Sequence, residues 1–236
     1  MTPARPGARC RADGERQRVP SPPRSALRDA AWRPTRPQLV RLLVGLSVFG
    51  FGEALIVLSK LGNSPWTVLA AGVAKQTGLE IGTATILVSI VVLLLWIPLR
   101  ERPGFGTIAN AIVIGLAIDA TLAVFSSPDA PALRVALLLG GIATVGLGSG
   151  LYINAALGRG PRDGLMTSLH HHTGRPLVVV RTAIELTALV IGIALGGLFG
   201  IGTIAFALLI GPAVHLALRM LPQSAPLPAE VDPVQN

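Results

Sequence analysis

The chain has 236 residues, 51% of them hydrophobic and only 14% charged, and a mean hydropathy of +0.62. This balance excludes an ordinary soluble domain, in which about a quarter of residues are charged, and makes lipid the expected solvent. The formal net charge of +8 describes a tail rather than a folded surface, because Arg5, Arg9, Arg11, Arg16, Arg18, Arg24, Arg28, Arg33, Arg36 and Arg41 all precede the first long apolar run.

Residues 1–37 mix these arginines with Pro, Ser and Gly and carry almost no aliphatic side chains, so the segment is expected to be disordered. It is not patterned as a secretory signal, since no short apolar core with a small-residue cleavage site opens the chain. Arg-rich tails before a first membrane helix enforce topology, and no nucleic-acid partner is expected. The single cysteine, Cys10, lies in this tail, which leaves no intramolecular disulfide and no cysteine metal site.

A membrane helix needs about 20 mainly apolar residues. Six windows supply them, at 38–60, 80–99, 104–125, 134–156, 176–198 and 200–221. Six spans with a cytoplasmic N-terminus put the tail arginines, Arg100, Arg102, Arg159, Arg162, Arg175 and Arg219 inside, and leave Lys60, Lys75 and Arg134 outside. That follows the positive-inside rule, so both termini are expected in the cytoplasm. Residues 222–236 read as a second disordered tail.

Sliding the chain against itself by 96 residues (Gly62 onto Gly158) aligns Gly50, Gly52, Leu61, Gly62 and Pro65 with Gly146, Gly148, Leu157, Gly158 and Pro161. Further along, Thr77-Gly78 falls on Thr173-Gly174 and Gly104-Phe105-Gly106-Thr107 on Gly200-Ile201-Gly202-Thr203. Roughly 25 of 83 paired positions are identical, which composition alone would rarely give. The membrane region is therefore one unit written twice, over 38–125 and 134–221.

Each unit reads as a long span, a Leu-Gly-x-x-Pro turn, a short helix of about 13 residues and two further spans. The short helices, at 65–77 and 161–173, begin with Ser64 or Gly160 at the N-cap and Pro65 or Pro161 at N1. Trp66, Leu69 and Val73 share one face of the first, and Leu165, Met166 and Leu169 one face of the second. Both are expected to lie at the interface or to re-enter. Three crossings per unit is an odd number, so the second copy is expected to enter the membrane upside down. The fold class expected is all-α, with six transmembrane helices arranged as two inverted three-helix repeats, a plan common among secondary transporters.

Ionisable groups inside spans are costly unless paired or facing a cavity, and so point to function. They are Glu53, Lys60, Asp119, Arg181, Glu185 and His215. Arg181 and Glu185 stand four apart on one helix, which fits either a structural ion pair or a ligand-facing pair. Their repeat mates are Thr85 and Ser89, so the same face is polar in both copies.

The expected topology groups Arg181, Glu185 and His215 near the Gly160-Pro161-Arg162-Asp163 turn. Asp119 and Glu53 then fall near the Ser64-Pro65-Trp66 turn on the other side. Asp163 at N3 complements a helix dipole, whereas Arg162 is placed for a phosphate or carboxylate, of a solute or of a lipid headgroup.

Other patterns count for less. His170-His171-His172 point in different directions on a helix and lack ligand-spaced partners, so no metal is expected. The glycines at 146–150 lie within a span with no preceding strand, which suits close helix approach rather than nucleotide binding. No Ser-His-Asp or paired-carboxylate arrangement calls for an enzyme, no cofactor is implied, and nothing specifies an oligomeric state.

The string from Leu157 through Gly158, Arg159, Gly160, Pro161, Arg162, Asp163, Gly164 and Leu165 to Met166, with Arg181, Glu185, Gly196-Gly197 and Gly200-Ile201-Gly202-Thr203, resembles the YczE/YyaS/YitT group of bacterial membrane proteins. The Leu61-Gly62-Asn63-Ser64-Pro65-Trp66 turn carries the same resemblance, which spans residues 40–220. It implies an inner-membrane protein and supplies no catalytic residues.

The function expected is transport of a small anionic or zwitterionic solute. Arg162, Asp163, Arg181, Glu185, His215, Glu53 and Asp119 are the candidate binding residues, with the lipid bilayer and the solute as partners. The alternative is a non-transporting scaffold, in which the polar faces would be packed instead of lining a cavity.

Overall fold

A computed structural model describes residue 32 and residues 34–221. The expected disordered tails, apart from residues 34–37 and Trp32, lie outside the described residues, as does Cys10. The described residues form helices only, in the order α1 Arg36–Ser59, α2 Pro65–Thr77, α3 Ile81–Trp96, α4 Phe105–Val124, α5 Pro131–Ile153, α6 Pro161–Thr173, α7 Leu177–Ala194 and α8 Ile201–Met220.

The first helix starts two residues before the expected boundary. Thr35 and Gln38 form a capping box there, the Thr35 N–H donating to Gln38 Oε1 at 3.0 Å, with Arg36-Pro37 opening the first turn.

Helices α1, α4, α5, α7 and α8 are each long and apolar enough to cross a membrane. The sixth expected span differs. Only 16 residues of the window 80–99 are helical, a rise of about 24 Å, and α3 reaches span length only together with α2, from which it is bent by 110°. The bend falls at Gly78, whose φ of 74° suits a residue without a side chain. The two 13-residue helices have the expected ends, with Gly78 and Gly174 as left-handed C-caps. Thr67, Val68, Ala70 and Gly72 on α2 are buried against the rest of the protein.

The core sits between α1 and α5, where glycine removes the side chains that would hold the backbones apart. A Cβ on Gly45 would meet the carbonyl of Gly148 and one on Gly148 the carbonyl of Gly45; Gly52 and Gly141 oppose each other in the same way. Close approach of this kind replaces the hydrophobic drive that lipid does not supply. Leu42, Leu46, Ile56, Ile142 and Val145 fill the space around the seam. The outward surface is apolar too, with Leu116, Val190 and Leu208 exposed, as suits side chains bathed in hydrocarbon.

Contacts recur at the offset of 96. The Gly106 N–H donates to the Leu157 carbonyl and the Gly202 N–H to the Leu61 carbonyl, both at 2.8 Å. Each copy's Leu-Gly turn thus seats the start of the last helix of the other copy. Gly50 packs on Ala117, and Gly146 on Ala213.

One set of contacts is not repeated. Helix α3 packs along α4, where Gly82 and Gly115 leave no room for a Cβ. Their mates Val178 and Gly211 stand apart: Val178 is 75% exposed, and a Cβ on Gly211 would meet nothing within 4 Å.

Candidate functional site

Both short helices begin with proline, which has no N–H to leave unpaired at N1. Beyond it, the N–H groups of Trp66 and Thr67 in α2, and of Arg162 and Asp163 in α6, have no intrahelical acceptor. These four residues line one cavity of about 60 Å³ together with Glu53, Thr85, Ser89 and Asn110. That is room for a few waters or a compact charged group. The starts of two helices, each with its partial positive charge, therefore border the same small space.

Helix α1 delivers Glu53 to the start of α2, where the carboxylate is 2% exposed. Its Oε2 accepts the Ser64 hydroxyl at 2.9 Å and the Thr67 hydroxyl at 2.8 Å. Ser64 occupies the N-cap position as expected, but its hydroxyl caps no backbone N–H; it is shared between Glu53 Oε2 and the Thr67 hydroxyl, 3.1 Å away.

In the second copy the mates of Glu53, Ser64, Trp66 and Thr67 are Ser149, Gly160, Arg162 and Asp163. The acid has moved from the long helix to the short one. Asp163 Oδ2 accepts the Tyr152 hydroxyl at 3.2 Å, and Asp163 sits in the first turn of α6. The Arg162 guanidinium lies over the Phe49 ring, 5.5 Å from its centroid, a cation–π contact. Arg162 forms no ion pair within 4.0 Å among the described residues, where the pair between Arg181 and Glu185 stands alone. Trp96 pins the start of α6, its indole Nε1–H donating to the Pro161 carbonyl at 3.0 Å while the ring covers Gly164.

The structure thus brings Glu53, Arg162 and Asp163 together, although the expected topology set Glu53 apart from the other two. The remaining candidates lie outside the cavity. Arg181 Nε stands 3.5 Å from Glu185 Oε1, with Arg181 largely exposed; their mates Thr85 and Ser89 are the ones that line the cavity.

Asp119 is engaged at the start of α3, accepting the N–H of Gly82 at 2.5 Å and of Thr83 at 2.7 Å. His215 is exposed on α8. His170 and His172 place ring nitrogens against the carbonyls of Arg175 and Ser168.

Phe49, Tyr152 and Asn110 were not singled out from the sequence. Tyr152 carried a signal in being the one tyrosine of the chain, within a span.

Residues 37–219 match a family described as "Family of unknown function (DUF6198)". The chain belongs to this family. An uncharacterized protein of Haemophilus influenzae is 42% identical over 189 residues, covering 80% of this chain and 87% of the relative. The uncharacterized membrane protein YczE of Bacillus subtilis is 34% identical over 186 residues, 78% of this chain and 85% of its own length. YyaS of the same organism is 28% identical over 182 residues, 75% and 90% respectively. The resemblance to a YczE/YyaS-like membrane family is thereby shown, and the chain is a membrane protein with several apolar helices. No solved structure matches.

Proposed function

We propose that this protein transports a small zwitterionic or anionic solute across the bacterial inner membrane, with both termini in the cytoplasm. The observation that carries the reading is the convergence of Arg162, Glu53, Asp163 and two helix starts on one cavity. Arg162 and the α6 amides suit a carboxylate or phosphate, and Glu53 with Asp163 suits an ammonium group. A half-buried cation with no ion-pair partner among the described residues is costly and is the kind of group that a ligand completes.

Two further observations support transport. The reciprocal contacts of the two Leu-Gly turns, and of Gly45–Gly148 with Gly52–Gly141, fit a pseudo-twofold axis relating two inverted copies. The packing of α3 on α4, without its counterpart between α7 and α8, fits one of two states that such copies exchange. No covalent chemistry enters this reading.

The test is uptake of a panel of zwitterionic and anionic metabolites into proteoliposomes. One or more should accumulate, and Arg162→Gln should abolish it; failure of every solute to move removes the proposal. The scaffold reading is favoured by one observation, that Arg181 and Glu185 pair with each other away from the cavity. It predicts a stably co-purifying protein and no flux.

A further inference from the structure

Beside the polar cavity lies a second one of about 510 Å³, lined by Leu69, Val73, Leu87, Leu165, Ala183 and Thr187 among others from α2, α3, α6 and α7. Its volume falls within the range of about 300–1,000 Å³ usual for ligand sites, and its walls are almost wholly apolar. The expected apolar faces of both short helices meet here, through Trp66, Leu69 and Val73 of one and Leu165 of the other.

Trp66, Val88 and Val92 line this groove and the polar cavity alike, so the two are contiguous. Trp66 is one of the residues that link them, and its indole Nε1 is buried with no hydrogen-bond partner among the described residues. A buried donor without an acceptor is costly, and a ligand oxygen that reached it would satisfy it.

From this arrangement we infer that the ligand is an amphiphile from the bilayer, with one hydrocarbon chain and a compact head carrying an anionic oxygen group and an ammonium. The inference rests on the transport reading for the polar cavity and specifies its substrate. The chain occupies the groove, where the walls offer dispersion contacts and no polar competition. The head enters between Arg162, which takes the anionic oxygens, and Glu53 with Asp163, which take the ammonium. An oxygen near the head–chain link accepts the Trp66 N–H. A fully water-soluble zwitterion would leave both the groove and the indole without a role.

The test uses the full chain in nanodiscs of dioleoylphosphatidylcholine, titrated with a lysophosphatidylethanolamine whose acyl chain is brominated, and reads tryptophan fluorescence. Quenching should saturate, and the saturable part should vanish in Trp66→Phe. Arg162→Gln should weaken the apparent affinity by about tenfold or more, and Ala183→Phe or Thr187→Phe, both at exposed positions on the groove wall, should weaken it as well.

Quenching that rises without saturation, or that is equally strong with a brominated lysophosphatidylglycerol lacking the ammonium, would show ordinary lipid contact and overturn the inference. Flux of water-soluble zwitterions without saturable quenching would sink the amphiphile and leave transport standing. Saturable quenching without flux of any kind would do the reverse.

Discussion

The carboxylate of Asp119 on α4 accepts the N–H of Gly82 on α3 at 2.5 Å, and its second oxygen accepts the N–H and the hydroxyl of Thr83. Glu80 is the N-cap of α3 and forms no side-chain cap bond, so Asp119 caps this helix from a neighbouring one. Losing a cap typically costs about 0.5–2 kcal/mol. Asp119→Ala should therefore lower thermal stability in detergent and speed hydrogen exchange at Gly82 and Thr83. His215→Ala, at the equivalent but exposed position, should shift stability by less than about 0.5 kcal/mol. Equal effects of the two substitutions would contradict a specific capping role.

Glu53 separates charge from hydrogen bonding. Glu53→Gln keeps an amide oxygen for the hydroxyls of Ser64 and Thr67, so the fold should hold while solute uptake falls. Glu53→Ala leaves the buried Thr67 hydroxyl without its acceptor and Ser64 with Thr67 Oγ1 alone, a loss of about 1–3 kcal/mol, and should destabilise markedly. Melting curves of the two variants beside the flux assay make the distinction. A Gln variant with unimpaired uptake would mean that the carboxylate charge is not used.

The elements were largely legible in the sequence, because lipid imposes runs of about 20 apolar residues and because Pro65, Pro161, Gly78 and Gly174 mark the ends of the short helices by their own backbone preferences. The 110° bend between α2 and α3 was not, since Gly78-Leu79-Glu80 reads as a simple linker. The cavity was legible only in part. Glu53 stands out as a charge within a span and Arg162 as a cation in the Gly-Pro-Arg-Asp turn, but their meeting depends on the packing of α1 against α5, which no local pattern encodes. Asp119 was grouped with Glu53 for a similar reason: its partners are backbone N–H groups, which every residue but proline carries.

Glycine substitutions should divide by position. A Cβ on Gly148 would lie 2.5 Å from the Phe49 nitrogen and 2.7 Å from the Gly45 carbonyl oxygen, all of it backbone. Gly148→Ala must push α1 and α5 apart, and should cost about 1–3 kcal/mol. A Cβ on Gly140 would meet nothing within 4 Å, so Gly140→Ala should be neutral or raise stability by up to about 1 kcal/mol through helix propensity. Thermal melts in one detergent would decide, and a tolerated Gly148→Ala would contradict the packing described for the seam.

Orientation can be read by labelling. With Cys10→Ser as background, the chain has no other cysteine, and a cysteine at Ser127, between α4 and α5, should react with an impermeant maleimide added to intact cells. A reporter fused after Asn236 should be active in the cytoplasm. Protection of residue 127 together with an inactive reporter would reverse the proposed topology.

Exchange between two states makes the sharpest demand on the unrepeated contact. Gly82 and Gly115 meet between α3 and α4, whereas Val178 and Gly211, their mates, stand apart between α7 and α8. If the copies swap conformations, α7 must at times close on α8 as α3 now closes on α4. Cysteines at Val178 and Gly211 should then form a disulfide under mild oxidation in membranes, since the bond requires Cα atoms within about 7 Å. Its formation should arrest uptake until it is reduced. Substrate should change the rate of crosslinking, because a ligand shifts the balance between two states only by its difference in affinity for them. A pair that never crosslinks while uptake proceeds would rule out this closure as part of the cycle.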